Sequence, residues 1–97
     1  MKPAQLLEEL EDLIENQLGF RIRKERGSFK GSSCVLEGDK LVVLNKNHPV
    51  EFNIGVLVVF LAGRDLSDIY IKPALRKEIE KMWKKRGLKT ENTLMDQ

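Results

Sequence analysis

The sequence predicts a single α+β domain, and three observations support that fold class. Two segments near the ends of the chain repeat apolar residues every three or four positions, as amphipathic helices do. The segment at 20–45 alternates apolar and polar residues and contains a turn signal, as strands do. With 97 residues, 41% of them hydrophobic and 33% charged, the chain is long enough for one compact core. We expect the domain to span 1–89, followed by a flexible tail at 90–97.

Residues 3–18 are predicted to form an N-terminal helix. Pro3 suits the first helical turn, because proline has no N–H that would need a partner there. Gly19 is a natural stop, because glycine readily takes the left-handed conformation that follows a helix. Acidic residues occupy the opposite face. The apolar stripe of this helix consists of Leu6, Leu7, Leu10, Leu13, Ile14 and Leu18.

Residues 20–45 are predicted to form the sheet. The stretch FRIRKE, at 20–25, alternates apolar and basic side chains, which indicates a half-buried strand. Residues 33–45 hold two apolar runs around Gly38 and Asp39, a pair that favours a tight turn and hence a β-hairpin. Together these segments predict a three-stranded antiparallel meander with helices on one face.

The stretch PVEFNIGVLVVFLAG, at 49–63, is predicted to form a central apolar helix. Pro49 suits a helix start, and Gly63 suits its end. A strand over 55–62 is the alternative, because this part lies between two glycines and is rich in β-branched residues. The whole unit is long for a strand, which favours the helix. The following segment, at 66–71, is either a short fourth strand or an extended link.

Residues 73–86 are predicted to form the C-terminal helix, starting at Pro73 and stopped by Gly87. Its apolar stripe consists of Leu75, Ile79, Met82 and Trp83.

Several classes of protein are not expected from this sequence. The longest uninterrupted apolar run extends only from Val56 to Ala62, whereas a membrane span needs about 20 residues. The acidic N-terminal segment does not resemble a signal peptide. A single cysteine, Cys34, excludes an intrachain disulfide and favours the reducing cytoplasm. The sequence has no phosphate-binding loop, dinucleotide-binding glycine pattern or nucleophile elbow, so we expect no cofactor.

Catalytic and metal-binding residues are not expected either. One histidine, His48, and one cysteine, Cys34, do not make a zinc site. The two could form a nucleophile and base if the hairpin brought them together. The alternative, which we favour, is that Cys34 is a small packed residue and His48 a loop or cap residue. The sequence therefore predicts a protein that is not an enzyme.

Two basic blocks are the candidate contacts to nucleic acid or phosphate, although the net charge is only +2. The first, at 21–30, combines bases with a glycine-serine loop and an aromatic ring that could stack on a base. The second, at 76–86, could follow a phosphate backbone. Each block also has an explanation that needs no ligand. The first can be a solvated face whose charges balance the acidic first helix, and the second can complement the dipole of its own helix. The residues are Arg21, Arg23, Lys24, Arg26, Phe29, Lys30, Arg76, Lys77, Lys81, Lys84 and Lys85.

Residues 33–63 resemble part of a known enzyme family. A strand pair ending in Leu44 and Asn45, a short loop and an apolar helix follow one another, as in the core of the zincin-like metallopeptidases that cleave phage-type repressors. Those enzymes carry H-E-x-x-H on the helix, whereas the corresponding positions near Val58, Val59 and Ala62 hold no metal ligand and no acid. The resemblance implies a metal-free relative. The whole chain also resembles a small uncharacterised bacterial family, from which no activity carries over.

The central helix is apolar on nearly every side, which predicts that it is covered on nearly every side. It is either sandwiched between the sheet and the terminal helices or completed by another chain, most simply a second copy. The function predicted from the sequence is therefore a non-catalytic cytoplasmic module that binds a protein partner or forms a homodimer. Nucleic-acid binding through the basic blocks is the alternative. The candidate interface consists of Val50, Ile54, Val56, Leu57, Val59 and Phe60.

Overall fold

A computed structural model describes residues 1–26 and 34–88 and confirms the α+β class. Most of the domain predicted at 1–89 falls within these ranges, whereas the tail predicted at 90–97 lies outside them. One hydrophobic core joins the sheet and all the described helices. The elements, in chain order, are α1 (Pro3–Gln17), β1 (Arg21–Glu25), β2 (Cys34–Leu36), β3 (Leu41–Asn45), α2 (Val50–Ala62) and α3 (Pro73–Lys85).

The predicted helices are confirmed, and glycines follow two of them in the left-handed conformation. Gly19, after α1, has φ +75°, and Gly87, after α3, has φ +72°. At the end of α3 the N–H of Gly87 donates to the Lys84 carbonyl at 3.1 Å, and the N–H of Leu88 donates to the Trp83 carbonyl at 2.9 Å. These two bonds form a Schellman motif, which satisfies carbonyls that the helix leaves free.

The prediction of an antiparallel meander is wrong in one respect, because the sheet is mixed. Its strand order is β1-β3-β2, with β3 parallel to β1 and antiparallel to β2. The hairpin of β2 and β3 is as predicted, but β1 pairs with β3 and not with β2. The reason lies in the side chains: β3 is apolar on both faces and takes the covered central place, whereas β1 alternates with arginines that need solvent at an edge.

Helix α2 is surrounded on most sides, which confirms the helix interpretation over the strand alternative at 55–62. On the sheet side, the Phe60 ring meets the Phe20 ring edge-on with centroids 5.0 Å apart. Helix α1 packs along a second side. On a third side, Trp83 of α3 donates its indole N–H to the Val58 carbonyl at 2.9 Å.

The segment at 66–71 is a link and contains no strand. Leu66 and Ile71 are buried and anchor it to the core. Among the helices in the described ranges, none is long and apolar enough to cross a bilayer.

Candidate functional site

A groove runs along the one side of α2 that the rest of the described chain leaves uncovered. Phe52 and Val59 lie on this side with 48% and 47% of their surface exposed, and Val56 lies between them, half-buried. These three positions are four and three residues apart, so they line one face of the helix. We call it the α2–β2 groove; its residues are Cys34, Val35, Phe52, Gly55, Val56, Val59, Phe60 and Arg86.

Strand β2 forms one wall of the groove. Within the described residues β2 pairs only with β3, so it is an edge strand. Val35 packs against the core, while Cys34 and Leu36 are exposed. An apolar edge strand offers unpaired backbone groups beside apolar side chains, a combination that favours pairing with another chain.

Arg86, just beyond α3, covers the floor of the groove near Gly55. The Arg86 guanidinium lies where a side chain at Gly55 would place its β-carbon. The charged end of Arg86 thus lies across α2, toward the Phe52 end of the groove. No acid within the described ranges forms an ion pair with it.

Gly55→Ala is expected to raise the free energy of unfolding by about 0.5–1 kcal/mol, because glycine inside a helix is less favourable than alanine by about that amount. The Arg86 guanidinium is the end of a flexible side chain and can swing into water at little cost. Urea unfolding followed by fluorescence would measure the change. The Arg86→Ala background removes the clash and is the control. A loss of stability in both backgrounds would contradict the expectation.

The opposite end of the groove carries a second arginine, Arg64, held by two rings and an acid. Its guanidinium lies 3.9 Å from the centroid of the Phe60 ring and 4.9 Å from that of Phe20. Its Nη2 pairs with the Glu37 carboxylate at 2.6 Å. A pocket shares Val35, Val59 and Phe60 with the groove and extends it to Glu37 and Arg64. Glu37 remains 65% exposed, so its carboxylate can accept from a further cation.

Two buried asparagines join β3 to α2 and fix where the groove begins. The side-chain amide of Asn53 donates to the Asn45 carbonyl at 3.1 Å, and the Asn45 side-chain oxygen accepts the Asn47 N–H at 2.8 Å. The backbone N–H of His48 also donates to the Asn45 carbonyl, at 3.1 Å. These bonds satisfy buried polar groups at a tight connection. Asn45 and Asn53 therefore have a structural role.

His48 packs against Phe52, and Cys34 lines the α2–β2 groove. The His48 ring meets the Phe52 ring edge-on with centroids 4.4 Å apart, and its buried Nδ1 has no partner among the described atoms. Cys34 is an exposed free thiol and lies in the groove. Cys34 is therefore not the packed residue that we favoured from the sequence, and His48 does fall in a loop. No hydrogen bond joins the two side chains in the described part of the chain.

The structure divides the candidate interface residues into two groups. Ile54 and Leu57 are buried in the core and do not line the groove, so the prediction that they form an interface is wrong for them, whereas Phe60 is largely buried but lines the groove. The reason is that α1, α3 and the sheet cover these faces of α2. Val50 and Val56 are half-buried, and Val59 is the one exposed member of the set.

Several groove residues are not among the interface residues predicted from the sequence. Phe52 was overlooked although it shares a helix face with Val56 and Val59, a spacing visible in the sequence. Arg86 and the β2 residues carry no such signal, because only the packing of α3 and the sheet brings them to α2.

The first basic block is partly neutralised. Arg23 pairs with Glu25 at 2.9 Å, and Lys24 pairs with Glu11 of α1 at 3.0 Å. Arg21 and Arg26 are exposed. Phe29 and Lys30, also predicted as contacts, lie outside the described residues.

The second basic block is exposed and has no acidic partner in the described ranges. It lies on α3, which packs on α2, whereas β1 packs on β3 and α1. The two blocks therefore lie on different elements of the fold. The residues of the second block are Arg76, Lys77, Lys81, Lys84 and Lys85.

A second, acidic groove lies between α1 and the link before α3. It has a volume of 580 Å³. Lys72 crosses it to the Glu9 carboxylate at 2.9 Å, and this hydrogen bond lowers the pKa of Glu9 below its ordinary value. Tyr70 stands at its rim, 67% exposed. The other acids of this second groove, Glu8 and Asp12, are exposed to solvent.

No group of three or more histidine, cysteine or carboxylate side chains in 1–26 and 34–88 is arranged to hold a metal ion. Comparison with known proteins found no family model that matches the sequence, no matching curated protein and no matching solved structure. The resemblance to zincin-like metallopeptidases stays a prediction, and the function is inferred from the geometry of this chain alone.

Proposed function

We propose that this chain is a non-catalytic binding module that pairs with a second copy of itself through the α2–β2 groove. The observation that carries the proposal is the exposure of Phe52 and Val59 on a helix whose other faces are core. Contiguous exposed apolar residues lined by an edge strand are typical of protein interaction sites.

The chemistry of the groove favours a protein over a small molecule. A small-molecule site needs several convergent polar groups that fix the orientation of the ligand. Here the lining is aliphatic and aromatic apart from the Arg86 guanidinium and the Cys34 thiol. Such a surface gains free energy mainly by removing apolar area from water.

The arrangement of charge favours a second copy as the partner. Arg86 stands at the Phe52 end of the groove, and the Glu37 carboxylate stands at the other end. If a two-fold axis passes through the groove, the grooves of the two copies run in opposite directions. Arg86 of each copy then faces Glu37 of the other. The same axis lets β2 pair with its own copy in antiparallel fashion, as an isologous interface requires.

The exposed thiol of Cys34 supports a cytoplasmic location, because accessible free thiols persist in reducing compartments.

The test is light-scattering mass during gel filtration of the wild type and of Val59→Lys. At about 100 µM, a concentration suited to interfaces with micromolar affinity, we expect the wild type to approach twice the monomer mass of 11.2 kDa. Val59→Lys should elute as a monomer, because the axis brings the two new ammonium groups together. Lysine is a good helix former and lies near the helix C-terminus here, so the variant should keep its circular dichroism spectrum.

Tyr70→Lys is the matched control. It introduces lysine in the other groove, at the most exposed of the large hydrophobic residues within 1–26 and 34–88, so it should leave the dimer intact. A wild type that stays monomeric at 100 µM, or a Val59→Lys variant that still dimerises, would overturn the proposal.

Thiol labelling supplies a second measurement, because Cys34 is the only cysteine in the sequence and lines the groove. Its labelling rate should fall as the wild-type concentration rises and stay constant for Val59→Lys. A rate that does not change with wild-type concentration would place any dimer contact elsewhere.

A further inference from the structure

The outer face of α3 carries four exposed lysines. Lys77, Lys81 and Lys85 follow one another at intervals of four residues, Lys84 lies three residues after Lys81, and all four are exposed. At a rise of 1.5 Å per residue, they cover about 12 Å of helix. No ion pair within the described residues joins them to the acidic residues of α3: Glu78 lies 3.8 Å from the N-terminal amino group, and Glu80, on the side of Lys77 and Lys84, forms no ion pair with them.

The helix dipole explains only part of this arrangement. Lys84 and Lys85 lie in the last turn, where they complement the helix dipole. Lys77 and Lys81 lie before it, and like charges four residues apart destabilise a helix by about 0.2–0.5 kcal/mol per pair. The first basic block forms ion pairs with Glu11 and Glu25, whereas this face has none within the described residues. A face of exposed lysines with no ion pair among the described residues fits an external polyanion.

The same face lacks the groups that other anionic partners require. Leu75, Ile79 and Trp83 are buried against α2, so α3 has no apolar side to insert into a bilayer. The Trp83 indole is tied to Val58 and cannot stack on an unpaired base. Flexible lysines are point charges that recognise phosphates without reading sequence.

We infer that the Lys77–Lys85 face of α3 binds the phosphate backbone of a nucleic-acid duplex without sequence preference. This inference does not rest on the proposed dimer, because the α3 face and the α2–β2 groove share no residue. Neutralising four phosphates releases counterions, which predicts a slope of log K against log salt of about −3.6. The affinity should therefore fall about 150-fold between 50 and 200 mM salt.

The test is fluorescence anisotropy of a labelled 20-base-pair DNA duplex of random sequence, titrated with the folded full-length chain. The triple variant Lys77→Gln, Lys81→Gln, Lys84→Gln should bind at least about tenfold more weakly at 50 mM salt, and its slope should become shallower by about 2.7. The matched control is Arg21→Gln, Arg23→Gln, Arg26→Gln, which removes the same number of positive charges. It should change the affinity less than about twofold, because β1 packs on β3 and α1, whereas α3 packs on α2.

Three outcomes would overturn the inference. The first is no duplex binding at 50 mM salt, including the case in which phosphatidylserine vesicles bind instead. The second is equal weakening by the two triple variants, which would mean that binding follows net charge and not the α3 face. The third is a single-stranded 20-mer that binds as tightly as the duplex, which would mean that stacking elsewhere carries the affinity.

Discussion

Leu57→Ala is expected to lower the free energy of unfolding by about 2–5 kcal/mol. Leu57 is fully buried in α2, on the side that the rest of the fold covers, and forms part of the continuous core. Truncation removes its apolar contacts and leaves a cavity that a helix packed on several sides cannot close. Urea unfolding followed by Trp83 fluorescence would measure the loss, with dilute protein so that self-association contributes little.

The control for Leu57 lies two residues along the same helix. Val59→Ala removes apolar atoms from the exposed side of α2 and should change the stability of the dilute protein by less than about 1 kcal/mol. The comparison tests which face of α2 is core. Similar losses at Leu57 and Val59 would mean that both faces are buried within one chain, and the α2–β2 groove would then not be an open surface.

Trp83→Ala is expected to lower the free energy of unfolding by about 3–5 kcal/mol, because Trp83 is 4% exposed and attaches α3 to α2. Trp83→Phe retains most of the buried ring surface and loses the hydrogen bond to the Val58 carbonyl, so a smaller loss of about 1–2 kcal/mol is expected. Because Trp83 is the only tryptophan, circular dichroism must follow unfolding in these variants.

The two substitutions separate packing from hydrogen bonding at the contact between α3 and α2. Equal losses for Trp83→Ala and Trp83→Phe would contradict the packing argument. A Trp83→Ala variant with wild-type stability would mean that α3 contributes little to the core, and the inferred orientation of the lysine face would lose its basis.

The sequence predicted the helices well because their signals are local. In α1 and α3 the spacing of leucines and isoleucines marks one face, and Pro3, Pro73, Gly19 and Gly87 mark starts and stops. The hairpin of β2 and β3 was predictable for the same reason, since its turn lies between its strands. Each of these elements is specified by residues within a few positions of one another.

The order of strands was not predictable in this way. Pairing β1 with β3 joins residues 20 positions apart, such as Arg21 and Leu41, across a whole intervening strand. No turn signal encodes that choice. The strand order depends on which strand can be buried on both faces. Burial on both faces depends in turn on the elements that pack above and below the sheet.

The candidate site shows the same division. Sequence alone determined that the segment at 49–63 has more apolar surface than one core-facing stripe needs, with a helix favoured over a strand at 55–62, and that the segment at 73–86 is strongly basic. Only the tertiary structure decided that Leu57 faces the core and Val59 the solvent, and that Arg86 and Glu37 mark opposite ends of one groove. The physical reason is that helix periodicity fixes which residues share a face, whereas exposure depends on the neighbours that cover each face, and those neighbours come from distant parts of the chain.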